Sequence, residues 1–527
     1  MLLLILVLLF PRQGQAPGKS SLSGTVVNAV TGEPLNKVDV LLEPLNGQAT
    51  DVAVTESDAE GRFALADLDP GRYRLKGKRN GFLETSYGAR RPDSDGSAVQ
   101  LEKGQSLDGL KLKLTPAAVI AGTVRDSDGE PLEGALVTLA NVTYEYGVPQ
   151  VDGIDSADTD DRGEYRFRGL AAGKYYIGVE PKSQGWDRVD RSANGGPVEA
   201  SVPTFYPGSL DAATAAPIVV STGAHVGGID VTLLRSRVFR ISGRVLNGSA
   251  GNHLSVVLHD AKNAAIRSYD LRTSTRNAAG DFELRGVPPG SYELTAADQS
   301  QQGRTSVTVG ASDLDGVRVT LTPGAEVRLR VVTDGPSNPD LSRLDFMLTA
   351  NGRNGFGSMG SQGDRFTVRN VPPDHYVLKL FGSLLREYYV KDARAGAADV
   401  LTGGLTVAGA GTMDIEIAIA ADGATVGGAV RDKNQQPVEG ATILLAPEKR
   451  SRADLFRTAT SDQNGHYEFA LVAPGEYKLF AWEDVELGAW NDPDFLKDYE
   501  NQGEKTVLEP RARATVDLHP AIRPGPR

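Results

Sequence analysis

The chain contains no cysteine. That excludes disulfides, thiolate metal sites, thiol nucleophiles and a lipid-anchored N-terminal cysteine, so an exported form must be held by its cores alone. Histidine is scarce: His225, His253, His259, His375, His466 and His519 are all there is. None falls in a His-Glu-x-x-His or His-x-x-Glu pattern, and a hydrolytic zinc centre needs two closely placed ligands, a third and a general base. Serine chemistry is equally unsupported, with no Gly-x-Ser-x-Gly elbow. The glycine-rich GFGSMGSQG at 355–363 lacks the Lys-Ser/Thr of a phosphate loop. Cationic charge is short too, with 56 Lys+Arg against 68 Asp+Glu and a net charge of -12. Nucleic acid calls for a basic footprint and is excluded as a partner. The one long apolar run, residues 2–10, is too short to span a bilayer, which takes about 20 residues. It reads as the apolar part of an export signal over residues 1–20, with Gly14 and Ala16 as small residues near a cleavage point. No basic residue precedes the run, and Pro17 is awkward after a cut. No later segment reads as a membrane helix.

What the chain has in quantity is glycine (60) and proline (29), the composition of many turns and short strands. It also repeats itself. One word, Gly-x-aromatic-x-apolar, a turn, then Tyr, occurs five times: GRFALADLDPGRYRL from Gly61, GEYRFRGLAAGKYYI from Gly163, GDFELRGVPPGSYEL from Gly280, GDRFTVRNVPPDHYVL from Gly363 and GHYEFALVAPGEYKL from Gly465. The Gly-to-Tyr spacing is constant except in the fourth copy, which is one residue longer. A second word, SGTV, AGTV, SGRV or GGAV, precedes four of the copies, with its glycine at 24, 122, 243 and 428. The fourth unit keeps only the apolar pattern VRLRVV. Tyr165 and Phe167 alternate with Glu164, Arg166 and Arg168, and Tyr175, Ile177 and Val179 alternate after the turn, the period of half-buried strands. The pattern predicts five tandem all-β sandwiches with short links, arranged end to end. The turn Asp69-Pro70-Gly71-Arg72 has the signature of type II, with positive φ expected at Gly71 and its counterparts Gly173, Gly290 and Gly475. Asp374 takes that place in the fourth unit, where strain or another turn type is expected.

The words Gly24-Thr25-Val26, Pro131-Leu132-Glu133-Gly134 and Gly163…Gly173-Lys174-Tyr175 resemble the carboxypeptidase regulatory-like domain. The resemblance implies a seven-stranded prealbumin-like sandwich, repeated in an elongated array. The expected divisions are 21–116, 117–237 with a long insertion, 238–324, 325–422 with a degenerate motif, and 423–527. The family implies appendage domains on secreted bacterial proteins, and its fold stands close to carbohydrate-binding sandwiches. No catalytic residue, metal site or cofactor is expected.

Two groups of residues invite a functional reading. Asp126, Asp128, Asp158, Asp160 and Asp161 lie in acidic turns; Arg162 breaks a calcium-loop pattern at its third ligand, so the reading preferred is a turn held by Asp side chains. The aromatic residues after each final Tyr are the stronger signal. Trp186, Tyr206, Tyr388, Tyr389, Trp482 and Trp490 stand among Asp, Arg and Asn, with Tyr87, Phe205 and Tyr499 in comparable stretches. Such rings stack on sugars, or they pack an insertion onto its own sandwich or the next. The sequence reading assigns them to carbohydrate or polysaccharide binding by an exported, non-catalytic, non-membrane protein. The alternative is a spacer or scaffold contacting proteins at the bacterial cell envelope.

Overall fold

The computed structural model describes residues 19–45, 52–92, 94, 96–145, 148–181, 198–248, 254–260, 270–275, 277–298, 301–335, 339–350, 353–358, 364–485 and 488–522. Their buried side chains form five separate main cores, within 22–114, 118–233, 241–321, 325–419 and 424–518. The last is the plainest: His466–Val472, Ala424–Ala429 and Arg513–Thr515 make one sheet, in that order. Arg457–Thr460, Thr442–Pro447, Gly475–Trp482 and Glu504–Leu508 make the other. These are the seven strands the resemblance implies. The first and last strands are parallel neighbours. Other units add short strands, such as Thr85–Ser86 in the first and Ala398–Asp399 in the fourth.

The repeated words have steric causes. A Cβ on Gly24, Gly122, Gly243 or Gly428 would stand 1.9–2.2 Å from a carbonyl oxygen of the closing strand. Only glycine lets that strand come so close. The fourth unit has Leu329 opposite Phe366, where the others put this glycine opposite an aromatic. Its first and last strands accordingly pair from Ala325 to Asp334 without a shift, whereas the first and third units shift just before the glycine. The glycine that opens the other word is required twice over: Gly61, Gly163, Gly280 and Gly465 have φ of 72–82° and leave no room for a Cβ beside a first-strand carbonyl.

The final Tyr of each word is fixed at both ends. Its ring lies in the core, and its hydroxyl donates to the carbonyl four residues back, at 2.7–2.9 Å for Tyr73, Tyr175, Tyr292, Tyr376 and Tyr477. Tyr165 and Phe167 are 4% and 1% exposed, walls as expected. The turn itself differs from the type II expectation. Gly71, Gly173 and Gly290 are not among the positive-φ residues, and Gly475, at φ 157°, is far from the value of about 80° that a type II turn requires. The left-handed residue comes earlier, at Asp67, Gly169, Gly286, Asn370 and Leu471, where each strand bulges in its pairing with the first. Asp374 therefore needs no special turn.

A second recurring device is a buried hydroxyl. Ser57, Thr159 and Ser461 each donate to a carbonyl (Leu35, Leu132, Val438) and accept an amide (Val38, Ala135, Ala441), pinning the preceding turn beneath the sheet. The Asp that follows each one accepts two backbone amides; Asp160 takes those of Arg162 and Glu164. Asp126 does the same for Asp128 and Glu130. These acids build turns, as preferred.

The row of units does not run straight. Ser97 of the first donates to the Ser461 carbonyl of the fifth at 2.8 Å, and Arg90 reaches the Glu439 carbonyl and the Glu483 carboxylate at 3.2 and 3.0 Å. The Gly88 carbonyl lies where a Cβ on Gly440 would sit 2.0 Å away. The segment Ala489–Asn491 of the fifth unit also lies beside the strand Leu136–Glu145 of the second. The elongated array expected from short links is corrected accordingly: the chain turns back and its first and fifth units meet.

Candidate functional site

The aromatic residues after each final Tyr do not share one fate. Trp482 and Trp490 are 2% and 7% exposed. They belong to a small second core on the outer face of the strand Gly475–Trp482, with Leu444, Phe480, Leu496 and Tyr499. An α-helix, Pro493–Tyr499, closes this core; Asp492 caps it by accepting the Asp494 amide at 2.9 Å, and Pro493 occupies its first turn. Trp482 stacks on Phe480 and meets Tyr499 edge-on. A sugar platform needs an open ring face, so these two tryptophans are corrected from ligand-binding residues to the packing that holds the insertion down. The Trp482 Nε1 is buried without an acceptor. Beside them Lys478, 5% exposed, is paired with the Glu500 carboxylate; burial, the largest single influence, pushes its pKa up, but Lys478 and Arg450 together outweigh it and hold the carboxyl below its ordinary value.

Tyr206 is half-buried against the core of the second unit, while Phe205 is 3% exposed beneath it. Trp186 lies outside the described residues. Tyr87 is half-buried at the junction of units one and five, where burial and the Glu439 carboxylate both raise its pKa.

Tyr388 and Tyr389 stand in a different setting, although Tyr388, 8% exposed within the fourth core, presents no open ring face and its ligand-binding reading is corrected as well. They line a cleft of about 470 Å³ between the fourth and fifth units. Leu380, Phe381, Leu385, Val390 and Leu401 come from the fourth unit, and Leu455, Leu471 and Tyr477 from the fifth. Phe381 is 45% exposed. The Tyr389 hydroxyl donates to Asp422 at 2.9 Å, and burial is the main cause raising its pKa. Apart from the tyrosines, the ionisable lining residues are Lys379, Asp454 and Arg457. Asp454 is held by Arg452 at 2.7 and 2.8 Å, and Arg452 also reaches the Val390 carbonyl across the junction. Arg457 donates to the Ala470 and Leu471 carbonyls at 2.6 and 3.3 Å and lies over the Phe469 ring. Desolvation of the guanidinium lowers its pKa from the usual arginine value, although the residue as a whole is exposed. The sequence marked the two tyrosines of this cleft but not Arg457 or Leu471, which arrive from another unit.

Among the described residues no group of three or more His, Asp and Glu side chains is placed to hold a metal ion, and no helix is long and apolar enough to cross a membrane. His259 is hydrogen-bonded to Thr295, and His253 lies outside the described residues.

Comparison with known proteins agrees with the repeated words. Residues 21–115, 119–195 and 425–485 match the carboxypeptidase regulatory-like domain. Among curated proteins, the chain is 26% identical over 197 residues to serine-aspartate repeat-containing protein C of Staphylococcus aureus, covering 33% of this chain and 21% of that one. It is 25% identical over 199 residues to the bone sialoprotein-binding protein of Staphylococcus aureus, covering 34% and 16%. The chain thus spans about a fifth or less of the length of the curated relatives it matches. Among solved structures, the minor pilin GBS52 of Streptococcus agalactiae is matched at 14% identity with a TM-score of 0.23, over 41% of this chain and 95% of that one. A streptococcal ancillary pilin is matched at 13% identity with a TM-score of 0.20, over 58% and 99%. The words, the sheet order and the matched segments converge: this chain carries carboxypeptidase regulatory-like domains in tandem.

Proposed function

We propose that this chain is a non-catalytic, exported scaffold of the bacterial cell envelope that presents its sandwiches to protein partners. The observation that carries the reading is the use made of the aromatic insertions. Trp482, Trp490 and Tyr499 are consumed in a packed second core, and Tyr87 sits in the contact between units one and five. Rings spent on holding units together serve a scaffold, not a ligand platform. The name of one relative, a bone sialoprotein-binding protein, supports a protein as the kind of partner. Polysaccharide binding keeps one foothold, because Tyr206 and Tyr389 remain half-exposed.

A glycan array together with a pull-down against isolated envelope proteins separates the two. The scaffold reading expects a clean array and recovery of defined proteins by the full chain. A reproducible glycan signal that disappears in Tyr206→Ala or Tyr389→Ala, in protein of unchanged thermal stability, would overturn it.

A further inference from the structure

We infer that the cleft between the fourth and fifth units is a binding site for a small amphipathic carboxylate, a molecule with an aromatic or branched apolar body and one anionic head. This goes beyond the scaffold reading and does not depend on it. The volume, about 470 Å³, lies within the range that holds small ligands. The walls are those of such a site: Leu380, Phe381, Leu385, Leu455 and Leu471 offer apolar surface from two sides, and Phe381 has no core to enter.

Charge selects the head. On a chain of net charge -12, the ionisable lining residues other than tyrosine are two cations and one acid. The acid, Asp454, is already neutralised by Arg452. Arg457 has no carboxylate partner among the described residues and satisfies itself on two carbonyls. A guanidinium has five N–H donors and the two carbonyls engage only Nη1, so a carboxylate entering from the cleft finds a charge-assisted partner beside an apolar wall.

Leu471 adds an independent observation. The corresponding bulge residues are Asp67, Gly169, Gly286 and Asn370, types that tolerate the left-handed region. Leu471 adopts it at φ 56° with an aliphatic side chain that cannot form the local hydrogen bond an Asp or Asn would. Its side chain lines the cleft, and its carbonyl is one of the two that orient Arg457. Backbone strain held at a cavity wall is a mark of a functional position.

The test uses the full chain and 8-anilinonaphthalene-1-sulfonate, an aromatic anion whose fluorescence rises in apolar sites, with N-phenyl-1-naphthylamine as its neutral counterpart. The expected result is saturable binding of the anion to one site, displaced by hydrocinnamate and not by phenethylamine. Arg457→Gln should weaken the anion about tenfold or more, the scale of one charge-assisted hydrogen bond, and leave the neutral probe unchanged. Arg457→Lys should restore most of the loss. Ala453→Phe, which fills the cleft, should abolish both signals, with thermal unfolding of each variant verifying the fold. Anion binding that is absent at millimolar probe, indifferent to Arg457→Gln and Ala453→Phe, or equally displaced by phenethylamine overturns the assignment.

Discussion

Adding one methyl group at Gly428 should unfasten the fifth unit. The ideal Cβ there lies 2.0 Å from the Val516 carbonyl oxygen and 2.6 Å from its carbon, both backbone atoms of the closing strand. The position has no positive φ, so the whole effect is steric. Ordinary contact begins at 3.4 Å, so the two strands must separate by well over an ångström. That movement breaks the amide bonds from Val516 to the Gly427 carbonyl (2.8 Å) and from Leu518 to the Ala429 carbonyl (2.9 Å). It also breaks the Tyr467 hydroxyl bond to the Val516 carbonyl (2.6 Å). At about 1 kcal/mol net for each, Gly428→Ala should cost about 3 kcal/mol. A denaturant titration in a Trp186→Phe background reads this unit selectively, because Trp482 and Trp490 are then the only tryptophans left. If Gly428→Ala moves the transition by less than about 0.5 kcal/mol, the close-approach account of this glycine is wrong.

Four further outcomes follow from the same geometry. Tyr477→Phe should cost about 1 kcal/mol by losing the bond to the Ala473 carbonyl, measured in the same titration. Burial lifts the Tyr477 hydroxyl to about 12, above its unfolded value of about 10. Its contribution is therefore complete below pH 10 and lost as pH rises toward 12; phenolate absorbance should show delayed ionisation in the folded chain, and ionisation at the ordinary value would contradict this. Trp482→Phe should cost far less than Trp482→Ala, since the indole N–H has no acceptor to lose, whereas the truncation empties about 3–5 kcal/mol of packing. Arg90→Glu should open the contact between units one and five, seen as a larger radius of gyration by small-angle scattering at low salt and an unchanged one if the closure is immaterial.

Much of the fold was legible because its constraints are local. Alternation at Tyr165 and Phe167 states which face is buried, and a glycine at fixed spacing from an aromatic states that two strands meet there. The turn was misread because Pro-Gly is a strong local signal, while the position that needs freedom, Asp67 or Leu471, is set by a bulge in pairing with a distant strand. The helix Pro493–Tyr499 carried its cap and proline in NDPDF, but seven residues are too few to show a period. The tryptophans could not be placed at all from sequence: a ring among acids and arginines reads the same on an open platform and under a folded-back insertion. The repeated Ser or Thr before Asp at 57, 159 and 461 was passed over in the sequence, because only the depth of the hydroxyl beneath the sheet gives it meaning.

The parallel pairing of first and last strands has a mechanical consequence. Each unit is entered by one of these strands and left by the other, so tension along the chain pulls them in opposite directions past each other. The ladder is loaded in shear, with its hydrogen bonds sharing the force, and does not peel one bond at a time. The fourth unit, with Leu329 in place of the glycine, runs this ladder unbroken from Ala325 to Asp334 against Gly411–Ala420. The fifth pairs only Thr425–Gly427 with Arg513–Thr515 before a lone bridge from Val430 to Leu518. Under load the fourth sandwich is the cable, and the second and fifth, with their short interrupted ladders, are the fuses.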